Sequence, residues 1–141
     1  MAETDISFVS LDPDAGERFQ ALRRLLGVST FGLNLITLAP RQRGRIHAHE
    51  RQEEVYIVLE GVLTLVVEGE ERTVGRAQAV RVAPAVRRQI VNRGPARLVA
   101  LAIGGAVEHH GRDGRAWTSW EEAGEGRPPA EVPLPEDVPA D

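Results

Sequence analysis

The stretch Gly44-Arg-Ile-His47-Ala-His49-Glu-Arg-Gln-Glu-Glu54-Val-Tyr56-Ile-Val-Leu-Glu-Gly61 holds half of the chain's four histidines, two residues apart, and a carboxylate five residues after the second. On an extended strand successive side chains alternate between faces, so His47 and His49 share one face. Glu54 and Tyr56 share a face of the following run for the same reason. If the two runs neighbour each other around a small barrel, two imidazoles and one carboxylate converge. That donor set is a facial triad with open coordination positions, suited to Fe(II), Mn(II), Ni(II) or Zn(II). Ligands to one ion at roughly 2.0–2.2 Å should bring their ligating atoms within about 3–4 Å of one another.

The surroundings of this stretch are also strand-like. Thr30–Leu38, Val55–Leu59, Val62–Glu68, Arg72–Val74, Ala79–Val82, Arg87–Asn92 and Leu98–Ile103 are short runs rich in Val, Ile and Leu. Between them stand Pro40, Gly61, Glu68-Gly-Glu-Glu71, Gly75, Pro84 and Asn92-Arg-Gly94. Short strands at this spacing predict an all-β sandwich or barrel, and nothing resembles a βαβ repeat. Ahead of it, Asp14-Ala-Gly-Glu17 has the form of a capping box, and Phe19, Leu22, Leu25 and Leu26 follow at roughly helical spacing before Gly27, which predicts a short helix. From about Glu121 the chain holds five of its nine prolines and no periodicity, so an irregular tail is expected, docked on a surface or held by a neighbouring chain. The predicted organisation is an N-terminal strand/helix segment over 1–29, a barrel over 30–108 and a C-terminal extension over 109–141 that is acidic and proline-rich from about 121.

With 141 residues the chain has room for one domain with a real core. It has no cysteine, which excludes disulfides, thiolate nucleophiles and sulfur ligands. All 17 basic residues are arginine, so a lysine Schiff base or general base is excluded too. The net charge of −4 is uneven: residues 121–141 carry seven acids against Arg127 alone, leaving 14 acids and 16 arginines elsewhere. That balance is too weak to predict nucleic-acid binding, and no aromatic series is present to stack bases. The opening Met1-Ala-Glu-Thr-Asp lacks a basic start and an apolar run, and no stretch approaches the eighteen or so apolar residues of a membrane span. A cytoplasmic protein without membrane contact is the expectation. No Ser-His-Asp order, phosphate loop or dinucleotide fingerprint is visible.

The spacing His47-x-His49-x4-Glu54-x6-Gly61 resembles the first motif of the cupins. Gly75 through Val82, followed by Pro84-Ala85-Val-Arg-Arg88-Gln-Ile-Val-Asn92-Arg-Gly94, is similar to their second motif. The resemblance covers about residues 30–104 and implies a small jelly-roll β-barrel. It also shows departures. Arg88 stands where the family's third histidine would be, Ala85 replaces the usual glycine, and Arg41 sits where a glycine often precedes the first histidine. Arginine stays protonated and offers no lone pair, so it cannot be a ligand. Two arrangements stay open. Arg88 can pair with Glu54 and supplant the cation. Alternatively it can stand beside a three-ligand metal and hold an anionic substrate.

The resemblance therefore implies a barrel that binds or transforms a small polar, anionic molecule at a divalent metal held by His47, His49 and Glu54. The alternative is a metal-free binding or structural module. If the chain is an enzyme, an oxygenase or isomerase is expected, with Tyr56 and Arg88 as candidate catalytic residues. Arg88, Tyr56, Asn92 and Arg43 are the candidate substrate contacts. Arg41, Arg43 and Arg45 would share the face of the histidines if the strand ran regularly through Gly44. Gln52 and Gln89 are further possible wall groups. His109 and His110 point to opposite sides of any strand and read more simply as a surface pair. Trp117 and Trp120 are expected to pin the tail to the barrel or to a partner subunit, and a homodimer is expected.

Overall fold

The computed structural model describes residues 5–106 and 112–140. It contains ten strands: β1 (Phe19–Ala21), β2 (Gly32–Leu38), β3 (Ile46–His49), β4 (Glu53–Glu60), β5 (Leu63–Val67), β6 (Glu70–Val74), β7 (Ala79–Val82), β8 (Gln89–Val91), β9 (Leu98–Gly105) and β10 (Gly114–Trp117). One short helix, α1 (Leu22–Leu26), and a 3-10 turn at Pro129–Glu131 complete the regular structure among the described residues.

One sheet runs β1-β2-β9-β4-β7, with every pairing antiparallel. The strands β6-β5-β8 and β10-β3 form the opposing layer. These two groups are stitched by the bridges His47–Arg88 and Arg43–Val91, and His47 and Arg88 exchange both backbone hydrogen bonds at 2.9 Å. The result is two facing antiparallel layers, the jelly-roll arrangement. Alternation places Glu54, Tyr56 and Val58 of β4 inward, with Leu98, Ala100 and Ala102 of β9 beside them. Against these pack Leu63 and Leu65 of β5 and Ile90 of β8, giving one continuous core. Gly61 turns the chain between β4 and β5 with φ +79°, and a Cβ there would stand 2.4 Å from the Arg97 carbonyl oxygen. Only glycine fits both demands.

The N-terminal segment holds a short strand and a short helix, and the helix starts later than the capping-box pattern predicts. Residues 12–16 make turns, with the Asp12 side chain accepting from Asp14 N, and Phe19–Ala21 is a strand whose partners are Ile36, Leu35 and Asn34. Pairing with β2 satisfies that backbone across the sheet, and tertiary pairing overrides the helical spacing. The helix keeps only five residues, has no side-chain N-cap, buries Leu22 and ends at Gly27 in the left-handed conformation. Leu25 stays exposed.

The tail docks on its own barrel. Ala116 and Arg127 exchange backbone bonds, Val132 is buried, and Arg45 Nε donates to the Val132 carbonyl at 2.6 Å. Arg43 Nε donates to the Glu136 carbonyl and Val138 N to the Arg41 carbonyl, both at 2.8 Å. Trp117 packs on Ile46 and Ala48 of the outer face of β3, with Trp120 against them, and the Arg87 guanidinium lies 4.2 Å over the Trp117 ring. Both β1 and β10 thus extend the sheets beyond the 30–108 span. No helix among the described residues is long and apolar enough to cross a membrane.

Candidate functional site

β3 and β4 bring the predicted donors together. The ligand atoms of His47, His49 and Glu54 all lie within 4.8 Å of one another. His47 Nε2 is 3.3 Å from Glu54 Oε1, and His49 Nε2 is 3.6 Å from Glu54 Oε2. They line a cavity of about 190 Å³ whose other walls include Phe19, Ile36, Tyr56 and Ile90. The walls are largely apolar, and the few polar groups converge at one end.

The proton positions follow from the outer partners of each imidazole. His47 Nδ1 lies 3.2 Å from the Arg45 carbonyl oxygen, which only accepts, so Nδ1 carries the proton. His49 Nδ1 lies 3.0 Å from Asp113 Oδ1. Asp113 also accepts from Arg51 N, Gln52 N and the Gln52 amide, at 2.8, 2.9 and 2.6 Å. Burial opposes its charge, but these bonds and His49 outweigh that and bring its pKa down to about 2. As an ionised carboxylate it only accepts, so His49 Nδ1 is also protonated. Each imidazole therefore turns its Nε2 toward the carboxylate of Glu54. There each Nε2 either carries a proton toward the carboxylate or offers a lone pair to a cation.

His49 Nε2 is buried and has no hydrogen-bond partner among the described residues. Its separation from Glu54 Oε2 is too long for a hydrogen bond and suits two ligands of one ion. The carboxylate–histidine contact from Asp113 is the support that metal-binding histidines ordinarily have. The donor set thus fits a divalent ion. Burial works against the Glu54 charge, but the close approach of the His47 and His49 imidazoles and the charge of Arg88 hold its carboxyl well below the usual range. Burial also works against the His49 imidazolium, but Glu54 and Asp113 outweigh it and raise that pKa.

Arg88 lies behind Glu54, away from the cavity walls. It is 0% exposed, its Nη2 donates to Glu54 Oε1 at 3.1 Å, and its Nη1 donates to the Val86 and Pro84 carbonyls at 2.7 and 3.1 Å. Tyr56 lines the cavity and donates its hydroxyl proton to the same Glu54 oxygen. Burial and the Glu54 charge push its pKa well above 10, so it remains a donor and does not serve as a base.

The other expected contacts are placed elsewhere. Asn92 is buried in the β8–β9 turn, donating to the Leu38 and Ala96 carbonyls and accepting from Gly94 N. Arg41 has φ +72°, which breaks the strand geometry that would have aligned it with the histidines. Arg43 faces the tail, and of the three arginines Arg45 alone borders the cavity. Gln89 ties to the Gly44 carbonyl at 3.0 Å, whereas Gln52 holds Asp113 and borders a second cavity. His109 and His110 lie outside the described residues. Asp113 is the site residue that sequence reading missed: in sequence it is only a turn residue, 64 positions from His49.

The fold and the His-His-Glu cluster define the class: a small jelly-roll barrel with a donor set that fits one metal ion. A family model described as the cupin domain matches residues 34–104, and the chain belongs to the cupin family. Among solved structures it is similar to a sugar phosphate isomerase from a cupin superfamily, from Silicibacter pomeroyi, at 29% identity over 63% of this chain and 59% of that one, TM-score 0.58. A putative sugar phosphate isomerase from Acidithiobacillus ferrooxidans matches at 30% identity over 61% of this chain and 56% of that one, TM-score 0.56. The chain therefore spans less than two thirds of either. A cupin protein from Bacteroides fragilis shares the fold at 18% identity over 87% of this chain and 99% of that one, TM-score 0.65. No curated protein matches the sequence.

Proposed function

We propose that this chain is a metal-dependent cupin that binds and transforms a small polar, anionic molecule, with His47, His49 and Glu54 as the ligands. The observation that carries this reading is the convergence of two Nε2 atoms and a carboxylate held well below its usual pKa, with His49 Nε2 buried and unpartnered among the described residues. A bound divalent ion would polarise a substrate oxygen. The chain's own groups hold the centre in place: Asp113 orients His49, the Arg45 carbonyl orients His47, and Tyr56 and Arg88 hold Glu54 through Oε1. That leaves Oε2 facing His49. Phe19, Ile36 and Ile90 keep the cavity wall apolar. Of oxygenation and isomerisation, the similarity to two sugar phosphate isomerases favours isomerisation of a sugar phosphate.

A specific contact favours a second reading. The Arg88–Glu54 pair at 3.1 Å already neutralises the carboxylate, and a guanidinium beside a divalent ion is repulsive. In that reading the centre holds protons, and the barrel is a metal-free binding module.

Elemental analysis of tag-free protein purified without added metal separates the two, combined with Arg88→His. The first reading expects about half an equivalent or more of one transition metal in the wild type, nearly unchanged in the variant. A wild type without metal, together with a variant that gains it, would establish the second.

A further inference from the structure

The centre has a second approach. Leu22 anchors α1 in the core, and the following Arg23 and Arg24 form part of the wall of another cavity, of about 210 Å³. Asn34, His49, Gln52 and Glu54 form the same wall, so three of the six residues named here also line the first cavity. Gly104 completes it, and a Cβ there would lie 2.8 Å from the Gln52 side-chain oxygen. Any larger residue would require the Gln52 side chain to shift.

Arg23, half-buried, differs from the other arginines with a buried Nε. Its Nε is buried without a hydrogen-bond partner, and its guanidinium has no ion pair or ring contact among the described residues. Arg88 and Arg87 also have an unpaired Nε, but Arg88 grips Glu54 and backbone carbonyls, and Arg87 stacks on Trp117 and donates to the Ser119 carbonyl. Arg24 is exposed and likewise has no acidic partner among the described residues. Two guanidiniums with unused planar donors at the lip of one cavity match an oxyanion that can accept several bonds at once.

We propose that Arg23 and Arg24 form an anion subsite that holds the phosphoryl group of the ligand while its remainder reaches the His49–Glu54 edge of the centre. The dianion balances both arginines, whereas a carboxylate balances one. The subsite rests on the reading of His47, His49 and Glu54 as the ligand-binding centre and names the chemical class it takes.

The test is isothermal titration of the full, metal-free chain with inorganic phosphate, and with acetate as the singly charged comparison. Saturable phosphate binding is expected, tighter than acetate binding. Arg23→Gln and Arg24→Gln should each weaken it by about tenfold or more, the effect of a lost charge-assisted bond. Arg23→Lys, which keeps the charge and loses the fork, should fall between. If Arg23→Gln does not fold by circular dichroism, Arg24→Gln, at an exposed position, decides the matter. Absence of saturable binding, or affinity within about twofold of wild type in the folded variants, would overturn the subsite. Acetate bound as tightly as phosphate would overturn the phosphoryl assignment. Mn(II) binding followed by electron paramagnetic resonance on the same proteins keeps the two readings apart. Arginine-dependent phosphate binding without Mn(II) binding removes the metal reading alone. Mn(II) binding with arginine-independent phosphate binding removes the subsite alone.

Discussion

Two groups of arginine stand near Glu54, and they are built differently. Arg88 comes from β8, is fully enclosed, and has Glu54 and two backbone carbonyls on its terminal nitrogens. Arg23 and Arg24 come from α1, border an open cavity, and have no acidic partner among the described residues. Proximity to a site is the same in both cases, and available donors are not. An arginine whose terminal donors are already engaged is part of the framework. One whose donors are unengaged can hold a ligand. The expectation that Arg88 anchors an anion therefore gives way to a framework role, and the anion-binding role passes to α1.

The largest test of this contrast is Arg88→Ala. It leaves the buried Glu54 charge without its partner, so unfolding in urea should show a loss of about 3–5 kcal/mol. Arg24→Ala, at an exposed position, should stay within about 0.5 kcal/mol of wild type. Equal effects would erase the distinction. Tyr56→Phe removes one donor from the same carboxylate and should cost about 1.5–3 kcal/mol, less than the arginine because Arg88 and His47 still face Glu54.

Asp113→Asn tests the outer support of the centre rather than its donors. The amide can present its NH₂ to His49 Nδ1 and favour the wrong tautomer, so metal affinity should fall by about 10–100-fold with the fold intact. Unchanged affinity in a competition titration would show that His49 needs no orienting partner.

The smallest effects are expected with pH, in metal-free protein. Asp113 falls from 3.8 to about 2 and Glu54 is also depressed, so their contributions are present above the ordinary carboxylate range and lost as pH falls toward about 2. His49 is raised, so its contribution is present below 6.5 and lost as pH rises through its elevated value. Melting temperature should decline at both ends. An NMR titration should place the His49 midpoint above 6.5, and Glu54→Gln should lower it. A His49 midpoint at or below 6.5 would mean that Glu54 and Asp113 do not reach it.

What was legible in the sequence is what backbone geometry imposes locally. Strand alternation alone puts His47 with His49 and Glu54 with Tyr56, whatever the rest of the chain does. The short apolar runs and the Gly61 turn mark out the barrel, with strand limits shifted by a residue or a few at several ends. The five-residue helix, the strand at Phe19–Ala21 and the self-docked tail were decided by partners far along the chain. The same holds for Arg88 behind Glu54, Asp113 behind His49, Arg43 on the tail and Arg23 at the second cavity. Side-chain parity repeats every two residues and can be read from a dozen of them. Which donor meets which acceptor across 34 or 64 positions depends on how two sheets close on each other, and no local period encodes that.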